Sequence, residues 1–203
     1  MPRAFKPEER DMIRRDLMKA GKELFALYGI KRTNVDDITK AAGIAKGSFY
    51  LFCGSKEELF MDIMEDFETQ NRETIVREFF GTPAPPRATM KRFLRYQMDM
   101  LAKEPIYRVI ADKDEYTNLL RRLPPSRLEA HLKNDTDHNI TILMQNLRED
   151  KKGIEPEVIS GLMKMMFFSL LHRDEIGADV YGKVLDLFID IVCDSLIKDQ
   201  EDS

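Results

Sequence analysis

A glycine turn between two short helical patterns is the feature that most limits how this chain can fold. Asn34 is suited to cap a helix whose inward face begins with Val35 and Ile38, at helical spacing. Asp37 lies three residues after that cap, where a carboxylate favours the positive end of a helix. Gly43 follows two alanines, which allows a close helix crossing and a sharp turn. The spacing therefore predicts two helices joined as in a helix-turn-helix.

The segment after the turn, residues 45–52, is too short to fold alone and has a distinctive outward face. Ile44 and Phe49 point inward. The outward positions hold cationic, small and hydroxyl groups, namely Lys46, Gly47, Ser48 and Tyr50. A short helix with such a face fits a groove of DNA. Ser55 and Glu58 then form an S-x-x-E capping box, which predicts the start of another helix.

These residues resemble the DNA-binding domain of the TetR family of one-component transcriptional regulators. The resemblance is carried by Thr33, Val35, Asp37, Ile38, Ala42, Gly43 and Ile44, by KGSFY at 46–50 and by SKEEL at 55–59. Residues 21–30, GKELFALYGI, are similar to the end of the first helix of that family. The rest of the chain is similar to the family in length and helical pattern.

The resemblance implies an all-α fold with two domains. An N-terminal three-helix helix-turn-helix domain, residues 1–54, would bind a palindromic operator in double-stranded DNA. A larger C-terminal helical domain, residues 55–203, would bind a small-molecule effector and form a homodimer. Effector binding would shift the fourth helix, change the separation of the two N-terminal domains in the dimer and release the DNA. Repression is the commoner mode of this family.

The predicted DNA-binding residues are Thr33, Lys46, Gly47, Ser48, Tyr50 and Lys56. By resemblance, 46–48 lie near base edges or adjacent phosphates, and the Tyr50 hydroxyl donates to a phosphate. Thr33 and Lys56 lie at the starts of helices, where free backbone N–H groups favour phosphate. Arg3, Lys6, Arg10, Arg14 and Arg15 could extend the phosphate contacts, but for each of them singly ordinary solvation is the better explanation.

Cys53 departs from the family pattern, because it occupies a position where the family usually has a buried phenylalanine. Two interpretations are open. Cys53 is a small packed hydrophobe beside Phe49 and Phe52, or it is a thiol switch close to the DNA surface. A reactive cysteine needs exposure and a positive neighbourhood, so burial would favour the packed thiol.

The distribution of charge agrees with a DNA-binding head. The 203-residue chain has a formal net charge of −4, but residues 1–56 hold 12 Lys+Arg and 7 Asp+Glu, a net of +5. The remainder therefore has a net of −9, which concentrates phosphate attraction at one end. We expect a cytoplasmic protein, because there are two cysteines only and neither a signal peptide nor a run long enough to span a membrane.

Helical periodicity and chain breakers predict about nine helices and no strand. The first helix ends at Gly29, and the fourth begins at Ser55 and is long enough to join two domains rigidly. The expected spans are about 8–28, two short helices, 55–80, 87–103, a less regular piece at 105–120, 126–150, 156–172 and 178–198. The Gly-Pro-rich stretch 81–86 is the clearest breaker.

The last two predicted helices are apolar on most sides, so each must be buried against more than one partner. The second covering is predicted to be a twin subunit, and the resemblance implies a four-helix dimer interface. The expected interface residues are Met163, Met166, Tyr181, Val184, Leu185, Phe188 and Val192. A monomeric core is the alternative interpretation.

The effector site has a weaker signature. Its candidate residues are Phe93, Tyr96, Met100, Tyr107, Tyr116, Met144, Phe167 and His172, with Arg95 or Arg108 as polar anchors. Aromatic and methionine residues at helical spacing also describe an ordinary core, and methionine suits an adaptable apolar cavity as well as an irregular core. The pattern favours an apolar or amphipathic effector.

Other chemistries have little support in the sequence. His131, Asp135 and His138 share one helix face at a spacing that could hold a metal, but a hydrated surface explains them better, and no fourth ligand is apparent. We therefore predict no metal and no cofactor. The sequence shows no nucleophile–base pair, phosphate loop or paired carboxylates, so we predict no catalysis. The rival hypothesis is a helical ligand carrier or enzyme that uses a C-terminal cavity.

Overall fold

The structure is a computed structural model that describes residues 5–81 and 84–199, except for the side chains of 111, 113 and 131–139. Within these residues the chain is all-α, as predicted, with eleven α-helices, one short 3-10 helix and an isolated antiparallel bridge between Leu147 and Ile197. The helices are α1 Pro7–Arg32, α2 Val35–Ala41, α3 Lys46–Phe49, α4 Lys56–Phe80, α5 Pro86–Lys103, α6 Pro105–Ala111, α7 Lys113–Arg122, α8 Pro125–Gln145, α9 Pro156–Leu171, α10 Arg173–Ile176 and α11 Tyr181–Leu196.

Within the described residues the chain has two more α-helices than the nine or so that the sequence predicts, and the extra helices arise in two places. The piece expected at 105–120 is two helices, because the Asp112 carboxylate accepts from the N–H groups of Asp114 and Glu115 and starts α7. Near the C-terminus, α10 precedes a turn in which Gly177 has φ +113°, a conformation that favours glycine. The last helix therefore begins at Tyr181 and not at the expected residue 178.

The helices form two compact units, which we call unit 1 and unit 2. Unit 1 comprises Met1–Gln70 and Pro105–Leu128. Its core is built on fully buried apolar side chains, among them Leu17, Phe25, Ile38, Phe49 and Phe60. The sequence predicts that the first helix ends at Gly29. In the structure Gly29 has a non-helical φ of +76° and interrupts α1, which continues after it to Arg32. The Glu115 carboxylate accepts from the Lys31 N–H at 3.1 Å and so joins α7 to this turn.

Unit 2 comprises Asn71–Glu104 and Glu129–Ser203. Its core includes Met90, Phe93, Leu94, Ile189 and Cys193, all nearly or fully buried. Along one side, α5 and α11 are joined by ion pairs at a spacing of four residues on both helices. These are Arg87–Asp194 at 3.9 Å, Lys91–Asp194 at 2.9 Å, Lys91–Asp190 at 3.1 Å, Arg95–Asp190 at 3.3 Å and Arg95–Asp186 at 2.6 Å. The Lys91 hydrogen bond holds the pKa of Asp190 below its ordinary value.

Helix α4 is continuous in the chain from residues of unit 1 to residues of unit 2. The predicted functional division, 1–54 for DNA and 55–203 for effector and dimer, concerns what each part binds and stays a prediction. Within 5–81 and 84–199, no helix combines the length and the apolar character that crossing a bilayer requires.

Candidate nucleic-acid interface

The turn between α2 and α3 is built as the sequence predicts. The Asn34 N–H donates to the Asp37 carboxylate at 3.4 Å, as part of a capping box that begins α2. Gly43 has φ +70°, so the turn needs a backbone conformation that a residue with a side chain rarely adopts. Ile38 and Phe49 are fully buried and anchor the two helices on their inner sides. Packing of these side chains therefore fixes the direction of α3, which has only four residues and would not be stable on its own.

The outward face of α3 is open. The Lys46 side chain is 56% exposed, and Tyr50, which follows the helix, is 55% exposed. A Cβ atom placed on Gly47 would meet nothing within 4 Å, so a flat surface can approach the backbone there. Ser48 is half-buried. The structure thus brings the four predicted groove-facing residues together on or beside one helical turn.

Lys46 has a partner on the neighbouring helix that the sequence analysis did not assign. Its ammonium donates to the Asp36 carboxylate of α2 at 2.8 Å. This hydrogen bond raises the pKa of Lys46 above its ordinary value, so the lysine remains charged. A cation and a carboxylate therefore lie side by side on the exposed surface of the helix-turn-helix.

Thr33 and Lys56, which were predicted to contact phosphate, have intrachain partners. Thr33 is buried, and its hydroxyl donates to the carbonyl of Gly29 at 2.7 Å. The Lys56 ammonium donates to the carbonyls of Ile30 at 2.6 Å and Thr33 at 2.7 Å. Both side chains therefore join α1 to α2 and α4. A DNA contact through either of them stays a prediction, but these hydrogen bonds would have to be exchanged for phosphate.

Two of the basic residues of α1 considered for phosphate contacts also bind within the chain. The Arg10 guanidinium lies 5.0 Å from the centre of the Phe52 ring and donates to the Leu51 carbonyl at 3.3 Å. Arg14 pairs with Asp62 of α4 at 3.0 Å. The sequence showed the charge of these residues, but their partners are 41 and 48 positions away and left no local pattern.

Cys53 is a buried thiol with 7% exposure. Burial raises its pKa to about 11, and the Asp62 carboxylate acts in the same direction. Phe52 is half-buried and packs against Phe5, with ring centres 5.9 Å apart. The geometry favours the packed thiol over the redox switch, because a thiol with this pKa is protonated at neutral pH and unreactive.

The candidate effector residues are spread over both units. Tyr107 and Tyr116 belong to unit 1, and the other six belong to unit 2. Phe93 is fully buried and Tyr107 nearly so, whereas Tyr116 and His172 are exposed, and Tyr96, Met100, Met144 and Phe167 are half-buried. Arg95, suggested as a polar anchor, is instead held by the two carboxylates of α11. The effector residues stay predictions.

The predicted dimer residues differ in exposure. Met166 is 3% exposed and belongs to the core of its own chain, whereas Val184 is 47% exposed. Met163, Tyr181, Leu185, Phe188 and Val192 are half-buried. The most exposed apolar residues of α9 and α11 form a row on each helix, comprising Val158, Met165, Phe168, Val184, Leu187 and Ile191. Sequence periodicity could not select this face, because both helices are apolar on several sides.

The possible metal ligands His131, Asp135 and His138 lie outside the side chains that the structure describes. Among the side chains that are described, no group of three or more His, Cys, Asp or Glu residues could hold a metal ion.

Comparison with known proteins places this helix-turn-helix in a class. The sequence model for "Bacterial regulatory proteins, tetR family" matches residues 17–63, which include α2 and α3. The uncharacterized HTH-type transcriptional regulator YdgC of Bacillus subtilis is 26% identical over 139 residues, which cover 68% of this chain and 66% of that protein. The HTH-type transcriptional repressor DhaR of a Mycobacterium species is 30% identical over 84 residues, or 41% and 42% of the two chains.

The fold extends the likeness beyond the head. The transcriptional regulator FadR of Bacillus subtilis, solved in complex with stearoyl-CoA, superposes with a TM-score of 0.62 at 18% identity, over 86% of this chain and 97% of that one. The matched regions span between two fifths and two thirds of the length of the two sequence relatives. Residues 17–63 are thus a helix-turn-helix segment of the kind found in bacterial regulatory proteins. Those residues match the model of the tetR family, which confirms the resemblance carried by the sequence motifs.

The state of Cys53 can be tested by alkylation. At pH 8 we expect iodoacetamide to modify Cys53 slowly in the native protein and rapidly in denaturant, because the thiolate forms only near pH 11. Cys193 is an internal control, since it is also buried and its pKa is also raised to about 11. Peptide mapping by mass spectrometry separates the two sites.

The raised pKa also has a consequence for stability. The unfolded thiol loses its proton at about pH 8.5 and the folded one near pH 11, so this thiol lowers the stability of the fold progressively as pH rises between those values. Native labelling of Cys53 that is much faster than that of Cys193, with loss of DNA binding on oxidation, would instead establish the switch.

Proposed function

We propose that this protein is a DNA-binding transcriptional regulator that represses from a palindromic operator and is released by a small molecule. The observation that carries the DNA-binding part is the open face of α3. Lys46 and Gly47 are exposed on α3 and Tyr50 directly after it, and buried anchors fix the direction of this helix. The net charge of +5 over residues 1–56 supports the same proposal, because it attracts phosphate to this end of the chain.

The groove-facing residues have distinct roles in this proposal. The open space at Gly47 allows the helix backbone to approach the base edges closely. Lys46 donates to a base or phosphate, Ser48 can donate or accept, and the Tyr50 hydroxyl donates to a phosphate. At Thr33 the backbone N–H remains the group suited to phosphate, because the hydroxyl is used within the chain.

Substitution at the open face should weaken DNA binding without unfolding the protein. We expect Lys46→Ala and Tyr50→Phe each to lower affinity for an operator obtained by selection from randomised duplexes, measured by fluorescence anisotropy. The melting temperature should change little, because both side chains are exposed. Loss of the Lys46 cation should also reduce the salt slope by about one unit, whereas Tyr50→Phe, which removes no charge, should leave the slope unchanged.

The control for net charge is Lys19→Ala, which removes the same charge from an exposed position of α1. Operator affinity that is unaltered in both Lys46→Ala and Tyr50→Phe would contradict the assignment of this helix. Absence of any DNA binding by the unaltered protein at low salt would favour the ligand-carrier hypothesis.

We propose that the protein acts as a homodimer through α9 and α11. Six apolar side chains in rows on these helices are between 47% and 61% exposed. Exposed apolar rows of this kind mark interaction surfaces. The half-buried residues of the predicted set, such as Phe188, support these rows from the interior of unit 2.

A charge in the middle of the rows should separate the subunits. We expect Leu187→Glu to give a monomer, because dimer formation would bury an unpaired carboxylate. Leu187 is 61% exposed in the single chain, so the substitution should leave the fold intact. Val76→Glu places the same group at an exposed valine of α4 and should remain dimeric. Light scattering that gives a mass near 23.7 kDa for the unaltered protein would refute the dimer.

We propose an apolar or amphipathic effector for the C-terminal part. The FadR structure contains stearoyl-CoA, but at 18% identity that likeness establishes the fold and not the ligand of this chain. The support here is the composition of unit 2, which places Phe, Tyr and half-buried Met residues such as Met100 and Met144 on its helices. Since α4 continues from unit 1 to unit 2 in the chain, we propose that it transmits effector binding to the head.

Effector coupling should be reciprocal. A compound that lowers operator affinity must itself bind less tightly in the presence of operator, by the same factor, and about 1–3 kcal/mol is the ordinary size of such coupling. Apolar and amphipathic compounds that raise the melting temperature can be titrated with and without operator DNA. Equal affinity in both titrations would mean that a compound is bound but does not regulate.

A further inference from the structure

The Asp36–Lys46 pair places one hydrogen-bond acceptor and one donor side by side on the face of the helix-turn-helix. The two groups come from different helices, since Asp36 lies in the first turn of α2 and Lys46 begins α3. Their atoms are 2.8 Å apart, and the side chains are 64% and 56% exposed. Neither burial nor core packing therefore accounts for the pair.

A carboxylate at this place opposes DNA binding in general. It cancels the charge of the lysine in the free protein, and it repels any phosphate that approaches. Asp37, the adjacent carboxylate, has a structural role because it accepts from the Asn34 N–H in the capping box. Asp36 takes no part in this box, and its carboxylate is placed beside Lys46 at the surface.

The major-groove edge of a G·C pair has the complementary pattern. Guanine presents the acceptors O6 and N7, and cytosine presents the N4 amino donor next to O6. We propose that Asp36 and Lys46 act together as the specificity-determining pair for one G·C base pair in each operator half-site. In this arrangement the Lys46 ammonium donates to guanine, and the Asp36 carboxylate accepts from the cytosine amino group.

An A·T pair satisfies the two side chains less well. Adenine offers one acceptor, N7, beside its own amino donor, and the O4 acceptor of thymine lies beyond that donor, next to the thymine methyl group. Lys46 would then lose one of the two neighbouring acceptors that guanine offers, while the Asp36 carboxylate would still repel the phosphate backbone of the DNA. The pair thus penalises both incorrect bases and non-specific duplex, because its mutual ion pair must be loosened without full compensation.

This inference rests on the proposed function, and its test separates the two. The full-length protein and the variants Asp36→Asn, Lys46→Ala and Asp37→Asn are each used to select binding sites from a randomised duplex library. For the unaltered protein we expect one G·C position per half-site that Lys46→Ala and Asp36→Asn both affect. At that position, Asp36→Asn should lower discrimination by about tenfold and leave the other positions unchanged.

The control variant Asp37→Asn makes the same change of charge one residue away, on the capping carboxylate. We expect it to keep the base preferences of the unaltered protein at every position. Asp36→Asn should in addition bind non-specific duplex more tightly than the unaltered protein, with a salt slope that is steeper by about one unit, since Lys46 is released for phosphate.

Two outcomes would overturn the pair while leaving the proposed function intact. One is a selected operator whose base preferences are the same for Asp36→Asn and the unaltered protein. The other is loss of discrimination at different base pairs in Asp36→Asn and Lys46→Ala. Failure of the unaltered protein to enrich any sequence would overturn the proposed function itself, and with it the assignment of this pair.

Discussion

Burial of Phe49 is the constraint on which the outward face of α3 depends. Helix α3 has only four residues and cannot be stable alone, because the first helical turn costs more free energy than it returns. Complete burial of a phenylalanine stabilises its site by about 1.5–3 kcal/mol, and Ile38 of α2 is buried in the same core. Because Ile38 and Phe49 are fixed in the core, Lys46 and Gly47 lie on the opposite, outward side of the helix-turn-helix. The open face of Lys46 and Gly47 follows from that anchoring.

The junction of α1, α2 and α4 is held by polar groups that sequence motifs assign to DNA. Lys56 donates to carbonyls at the C-terminal end of α1, where the helix leaves acceptors unpaired and its dipole attracts a cation. The Thr33 hydroxyl binds the same turn. Because Lys56 is also the first residue of α4, a displacement of α4 would strain these contacts directly. The junction is therefore suited to connect α4 with the position of the helix-turn-helix.

Charge is arranged on two scales in this protein. Over the whole chain, a head with a net of +5 precedes a remainder with a net of −9, which favours DNA approach at one end. Locally, some of the cations form ion pairs with carboxylates, since Lys46 pairs with Asp36 and Arg14 pairs with Asp62. Net charge alone thus overstates the number of free cations, and specific contacts must compensate for the ion pairs that they replace.

The sequence by itself determined the all-α class, the helix cap at Asn34, the turn at Gly43 and the start of α4, because caps, glycine conformation and helical periodicity are local. It did not determine that Lys56 and Arg14 bind within the chain, that Lys46 pairs with Asp36, or that Met166 faces its own core. Those outcomes depend on residues that are distant in sequence and on which side of an apolar helix is already covered. Only the tertiary structure decides them, because an ion pair or a buried face requires a partner that folding brings near.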